Sequence, residues 1–383
     1  MKKPAVMIII DALGYELAER YQFRPAGLPC IKRLRTVPGF SQAALTSIMT
    51  GCRPDEHGLW MMYSFCPGNS PLGWLSLFPE GVSSRRRWLR RLIEWKLRKV
   101  DGIKAYYSLY SVPRNVLSLI GFPARRNIFL PNGTEDGPET VIDELYQRGE
   151  RLFIRDYHTP EEESFSDLKA ALEGGGFDFH LLYTAGLDSS LHRYGTSHHE
   201  IEKHLDWYRR ELEEISLIGA GCNMAVLGDH GMCDVNSSID LMDRVEKLDL
   251  EIPADYIPFY DSTMARFRIF TGRARKRLCG MLTGMEEGVI LSAEEKRKLG
   301  IDFEGGIYGD IIFIINQGTI INPSYMGKEL IRGMHGYHPD NECMYSGLFS
   351  NMEEAEKAGS ITDVASMFIP GFTCSGRDED GTG

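Results

Sequence analysis

Three features of this 383-residue sequence predict an α/β fold, a three-layer sandwich with a mostly parallel central sheet flanked by helices. The first is Val6-Met-Ile-Ile-Ile10, an apolar and mostly β-branched run of the kind that fills a strand buried on both faces. The second is alternation: strand-like Phe177–Tyr183 and Cys222–Gly228 are interleaved with helical patterns at 160–173 and 198–218. The third is placement. The strand-like runs lead into Asp11, Asp188 and Asp229, and ligands in open α/β sheets collect at the carboxyl ends of strands.

The first strand enters Asp11-Ala-Leu-Gly14, and a helix is expected over 15–21. Pro38 and Gly39 stop the next segment, and Ser41 follows at the turn. Ala44, Leu45, Ile48 and Met49 then form one helical stripe that closes at Thr50-Gly51. Ser41 therefore sits at a helix N-terminus, where unpaired N–H groups and the positive end of the dipole favour an anion. A plain capping serine fits the same place. Cys52-Arg-Pro-Asp-Glu-His57-Gly58 closes the segment.

Residues 61–161 change character, with Trp, Tyr, Phe, Pro and Arg in place of regular alternation, and read as a cap inserted over the sheet. Within it, residues 85–99 carry eight basic residues against one acid, and Trp88, Leu92, Trp95 and Lys99 recur at helical spacing. This basic amphipathic helix is either packed by its tryptophans with a solvated basic face, or interfacial, meeting anionic lipid or a polyanionic substrate. A helix is also expected over 140–148, ahead of the strand–helix alternation described above. Pro258–Arg268 reads as a strand entered through a turn containing Asp261 and Ser262, and Ser292 with Glu295 makes a capping box. The expected division is a catalytic core of 1–60 and 162–372, a cap of 61–161, and a disordered tail of 373–383.

Composition narrows the function. A formal net charge of −11 argues against nucleic-acid binding. Eight cysteines with no C-x-x-C pair read as buried thiols in a reducing compartment. The first apolar run is too short for a signal peptide, and no stretch of about 20 apolar residues could span a bilayer. A cytoplasmic protein is expected, with peripheral membrane contact through 85–99 left open.

Asp188 and His192 stand four apart, which places an oxygen and a nitrogen ligand on one helical face. Asp229-His230-Gly231-Met232 ends another strand, where a glycine lets both side chains face one cation. Three strand-end acids, two of them joined by histidines, together with one helix-start serine, form a pattern that solvated loop acids explain poorly.

These motifs resemble the alkaline phosphatase superfamily, and within it the type I phosphodiesterase/nucleotide pyrophosphatase family, over about 4–60, 177–236 and 305–370. Ser41 stands ten residues before Gly51, the register of the family nucleophile. Pro54-Asp-Glu-His57-Gly58, Asp188-Ser-Ser-Leu-His192-Arg-Tyr-Gly195, Asp229-His230-Gly231-Met232 and Met334-His335-Gly336-Tyr337 follow family motifs. The chain departs from the family at Ala44, where an asparagine is usual, and in having serine rather than threonine as nucleophile.

The resemblance implies two divalent metal ions, zinc before manganese or iron. Asp188, His192 and His335 would hold one, and Asp11, Asp229, His230 and the Ser41 hydroxyl the other. It implies hydrolysis of a phosphodiester or pyrophosphate through a phosphoseryl intermediate on Ser41. The small phosphorylated substrate would be nucleotide- or lipid-linked. The alternatives are a phosphomonoesterase, a phosphonate or sulfuryl hydrolase of the same superfamily, and a non-catalytic binding protein.

Overall fold

In the computed structural model, which describes residues 3–77, 87–103, 111–124, 126–135 and 137–374, the chain begins with β1 (Ala5–Ile10) and α1 (Tyr15–Arg20). β2 (Cys30–Leu34), α2 (Ser41–Thr50) and α3 (Pro54–His57) follow, then α4 (Arg87–Trp95) in the cap. Next come α5 (Val141–Gln147), β3 (Leu152–Arg155), α6 (Glu161–Gly174), β4 (Phe179–Thr184), α7 (Gly186–Tyr194), α8 (His199–Ile218) and β5 (Asn223–Leu227). Later strands of the two larger sheets are β6 (Tyr256–Tyr260), β7 (Met264–Ile269), β8 (Gly288–Ile290), β9 (Ile311–Ile315) and β10 (Ser346–Ser350). Of the expected features, Arg85, Arg86, the aromatic cluster 106–110 and the tail beyond Cys374 lie outside the described residues, as do the side chains of Arg87 to Arg90.

The main sheet has the order β2-β10-β5-β1-β4-β3. β1 pairs in parallel with β4 and β5, β3 pairs in parallel with β4, and β10 runs antiparallel to β5 and β2. Side chains of β1 alternate between two buried layers, which makes it a two-faced core strand. Met7 and Ile9 join Leu45, Ile48 and Met49 of α2 on one face. Val6, Ile8 and Ile10 join Leu187 and Leu191 of α7 and Leu205 and Leu212 of α8 on the other. Helices on opposite faces thus reach the same sheet edge, and β5, β1 and β4 end side by side there.

A second, four-stranded sheet, β6-β7-β9-β8, is antiparallel throughout. The stretch 258–268, expected as one strand, is a hairpin of β6 and β7 with Asp261 at its turn. Its apolar residues pack with Tyr63, Phe65, Ile93 and Leu97 of the cap. Two corrections follow. β3 lies within the stretch expected to be cap yet pairs with β4 in the main sheet, so the insertion ends earlier. Helix α4 packs through Ile93 and, in the turn that follows it, Leu97, while Trp95, a packing residue in one of the two readings of this helix, is 57 % exposed.

Four cysteines also depart from expectation. Cys52 bonds to Cys374 and Cys233 to Cys343, across sequence separations of 322 and 110 residues that local spacing cannot reveal. Cys30, Cys66, Cys222 and Cys279 are free. Among the described residues, no helix is long and apolar enough to cross a membrane.

The motif residue His57 is structural. Gly51 ends α2 in the left-handed conformation, and α3 folds back so that His57 is buried against α2. The Leu59 N–H donates to His57 Nδ1 at 3.1 Å, so the ring proton sits on Nε2 and points at Ser47 Oγ, 3.0 Å away. Burial pushes the imidazole down to about 3. Below pH 6.5 the unfolded chain therefore binds a proton that the folded chain refuses, and stability is lost as pH falls towards about 3. The expected slope is about 1.4 kcal/mol per pH unit. Urea unfolding across this range should show that slope, and His57→Gln should flatten it by one proton equivalent. An unchanged slope would assign the acid sensitivity to other groups.

Candidate active site

Ser41 opens α2, with extended Phe40 as its N-cap. Ala43 and Ala44 donate their N–H groups to the Phe40 carbonyl, while the N–H groups of Ser41 and Gln42 begin the helix with no preceding turn to accept them. Ser41 Oγ lies 3.1 Å from His230 Nε2 and 3.5 Å from Asp11 Oδ1. Ala44 is 2 % exposed in the apolar layer beside Leu45 and Ile48, so the departure at this position is a packing residue.

The strand-end residues gather around Ser41 in two groups. Asp11, Asp229 and His230 form one, and Asp188, His192 and His335 the other; within each, one ligand-type atom from every residue lies within 4.8 Å of the others. The groups adjoin, because the rings of His230 and His335 stack at 3.9 Å. The structure therefore brings together all seven residues singled out from the sequence.

Backbone contacts orient these candidate ligands. His230 Nδ1 lies 3.0 Å from the Gly231 carbonyl and His192 Nδ1 lies 2.8 Å from the Gly333 carbonyl. A carbonyl only accepts, so each neutral ring carries its proton on Nδ1 and presents the Nε2 lone pair to the site. Close backbone packing at Gly231, against the Cys343 carbonyl, leaves no room for a Cβ. Gly333-Met334 pairs with Cys233-Asp234, and this short bridge sets His335 beside the Asp229-His230 segment. Ala12 adopts a positive φ of 62° and turns its N–H to Asp229 Oδ1 at 3.1 Å.

Electrostatics point to a cation. His192 Nε2 faces Asp188 Oδ1 at 3.3 Å, and His230 Nε2 faces Asp229 Oδ2 at 3.3 Å and Asp11 Oδ1 at 3.4 Å. Asp188 Oδ1 and Asp229 Oδ2 are buried without a hydrogen-bond partner. Lone pairs facing carboxylates in a buried site cost free energy, which a divalent cation relieves. Burial, then the charges of Asp229 and Asp188, holds the Asp11 carboxyl well above its usual range, and burial pushes Asp229 up to about 7. Burial acts on Asp188 too, but the hydrogen bond and positive charge of His192, when that ring takes up a second proton, outweigh it and hold that carboxyl low. His335 is pushed well down, first by burial and then by His230. The carboxylate and imidazole donors, with no thiolate among them, suit zinc and also manganese or iron.

Two supports were not foreseen from the sequence. Tyr183 donates its hydroxyl to Asp11 Oδ2 at 2.5 Å, from the next strand. Glu161 accepts from the hydroxyls of Thr184 and Tyr208 and lies 2.8 Å from His204 Nε2, while His204 Nδ1 lies 3.3 Å from Ser190 Oγ. This cluster clamps the start of α7, the helix carrying Asp188 and His192, and fills the space a side chain at Gly186 would need. Glu161 stands in an acidic Glu-Glu-Glu run at the start of α6 and reads as a dipole-matched helix start; its partial burial sets it apart.

Comparisons follow this geometry. The family profile described as type I phosphodiesterase / nucleotide pyrophosphatase matches residues 5–338. Murine ectonucleotide pyrophosphatase / phosphodiesterase 5 superposes with a TM-score of 0.63 at 12% identity, covering 95% of this chain and 94% of that one. The human counterpart gives 0.59 at 13% identity, covering 91% and 87%. An inactive variant of the murine protein in complex with AMP gives 0.61 at 13% identity, covering 96% and 94%. No curated protein matches the sequence. At these identities the likeness is one of fold.

Proposed function

Because the chain belongs to the type I phosphodiesterase/nucleotide pyrophosphatase family and is a hydrolase, we propose that it cleaves phosphodiester or pyrophosphate bonds with Ser41 as nucleophile and two divalent metal ions as cofactors. The observation that carries this reading is the pair of carboxylate–imidazole triads around Ser41, the Asp11 triad buried and the Asp188 triad partly buried, with lone pairs and unpartnered Oδ atoms turned inward.

Asp11, Asp229 and His230, with the Ser41 hydroxyl, would hold one cation, and Asp188, His192 and His335 the other. Bound there, cations of this kind supply Lewis-acid stabilisation of phosphoryl oxygens and lower the pKa of an adjacent hydroxyl. The protein residues do the rest. Ser41 Oγ attacks phosphorus in line with the leaving oxygen, giving a phosphoseryl group and releasing the first product. Water then displaces Ser41 from the same phosphorus. The N–H groups that open α2 face the equatorial oxygens, where charge is spread throughout the transfer. Tyr183, Ala12 and the Glu161 cluster keep the carboxylates and α7 in place, so little reorganisation accompanies the reaction.

The AMP held by the murine neighbour supports a nucleotide-linked substrate for this chain as well. The test is metal analysis combined with hydrolysis of bis-p-nitrophenyl phosphate and p-nitrophenyl phosphate. About two metal equivalents per chain are expected, with diester turnover exceeding monoester turnover. Chelation should abolish turnover and zinc should restore it. Monoester preference would reassign the protein as a phosphatase, and full turnover after metal removal would overturn the two-metal reading.

A further inference from the structure

The outer face of α4 has no role in this chemistry. Residues 96–100 extend α4 with one turn of π-helical pitch. Ile93 and Leu97 are 1 % and 5 % exposed and anchor the helix on the second sheet's core. Trp95 lies opposite them on the helix circumference and is 57 % exposed. Around it stand exposed Leu92 and Val100 and the exposed cations Arg91, Arg98 and Lys99. Among the described residues no acid pairs with these three cations, whereas neighbouring Lys96 is held by Asp101 at 2.8 Å.

A solvated helix face puts charge outward and tryptophan inward. Here the tryptophan stands outward among long cationic side chains. We propose that this face docks on the surface of an anionic phospholipid bilayer. The indole and Leu92 would enter the headgroup boundary while Arg91, Arg98 and Lys99 meet lipid phosphates and carboxylates. Charge complementarity selects the occupant and the orientation. The whole chain carries −11 and is repelled by an anionic membrane, so approach requires a face of local positive charge, and this one joins such charge to exposed apolar side chains. The inference rests on α4 alone and stands whether or not the catalytic proposal does.

The test is co-sedimentation of the full chain with phosphatidylcholine vesicles and with vesicles containing phosphatidylserine, at low and physiological salt. Trp95→Ala/Leu92→Ala and Arg98→Glu/Lys99→Glu are compared with wild type, and circular dichroism melting checks that each variant folds. Binding to phosphatidylserine vesicles is expected, weakening with salt and falling roughly tenfold in each variant. Wild type remaining in the supernatant with both vesicles would overturn the proposal. So would vesicle binding unchanged in folded variants. Loss in the charge-reversal variant alone, with wild type held equally by heparin, would also overturn it in favour of a soluble polyanion.

Discussion

Ser41→Ala is expected to reduce bis-p-nitrophenyl phosphate turnover by about ten-thousand-fold while leaving metal content unchanged. The variant keeps the helix start: Phe40 remains the cap and its carbonyl still receives the Ala43 and Ala44 N–H groups. It keeps both triads, since the Tyr183 hydroxyl holds Asp11, the Ala12 N–H holds Asp229 and the Gly231 carbonyl holds His230, none of them through Ser41 Oγ. Only the attacking oxygen is lost, so the covalent step has no substitute at that position. Turnover within tenfold of wild type, with the metals retained, would mean that water attacks directly and that Ser41 is only the capping residue its local sequence also fits.

Asp261→Ala is expected to destabilise the protein by about 3–5 kcal/mol, read as a lowered urea midpoint. Arg266 is 1 % exposed, and its Nε donates to Asp261 Oδ2 at 3.0 Å. Nη1 donates to the Tyr63 carbonyl at 3.0 Å, and the guanidinium lies 4.9 Å from the Phe259 ring centroid. Nη2 is buried without a hydrogen-bond partner. Removing Asp261 leaves this cation uncompensated in an apolar core, and the penalty is that of a bare buried charge rather than of one lost hydrogen bond. Asp261→Ala/Arg266→Met should therefore recover most of the loss, since it removes the charge as well. A double variant as unstable as the single one would show that the carboxylate matters for the hairpin turn and not for the arginine.

Features carried by short segments were legible in the sequence. Val6–Ile10 reads as a two-faced strand because every position is apolar, and β1 buries both faces. Asp188 and His192 fall on one turn of α7 because four residues make a helical turn, and Asp229 and His230 share a strand end. The Ser41 helix likewise follows from Pro38, Gly39 and the stripe behind them. Of the second sheet, strand-like stretches such as 258–268 were legible, but the break into β6 and β7 and the pairing with β8 and β9 were not, because that sheet is stabilised by pairing across loops and by the cap residues above it. Helix α4 was placed by its basic pattern, but its inward face was left open between two readings. Packing chose Ile93 and Leu97 and left Trp95 outward, against the reading in which the tryptophans pack the helix.

By itself, then, the sequence determined the α/β class, the strand ends that carry the acids, the serine at a helix start and the chemistry of the donor set. Each is set by periodicity or by neighbours a few residues apart, which backbone geometry translates directly into direction. Tertiary structure alone decided the rest: that Tyr183 supports Asp11, that Glu161 braces α7, that His57 pins α2 and that Cys233 meets Cys343. Those contacts join residues far apart in the chain or role-neutral within it. Their energies exist only once burial has removed water and placed each polar group beside its partner.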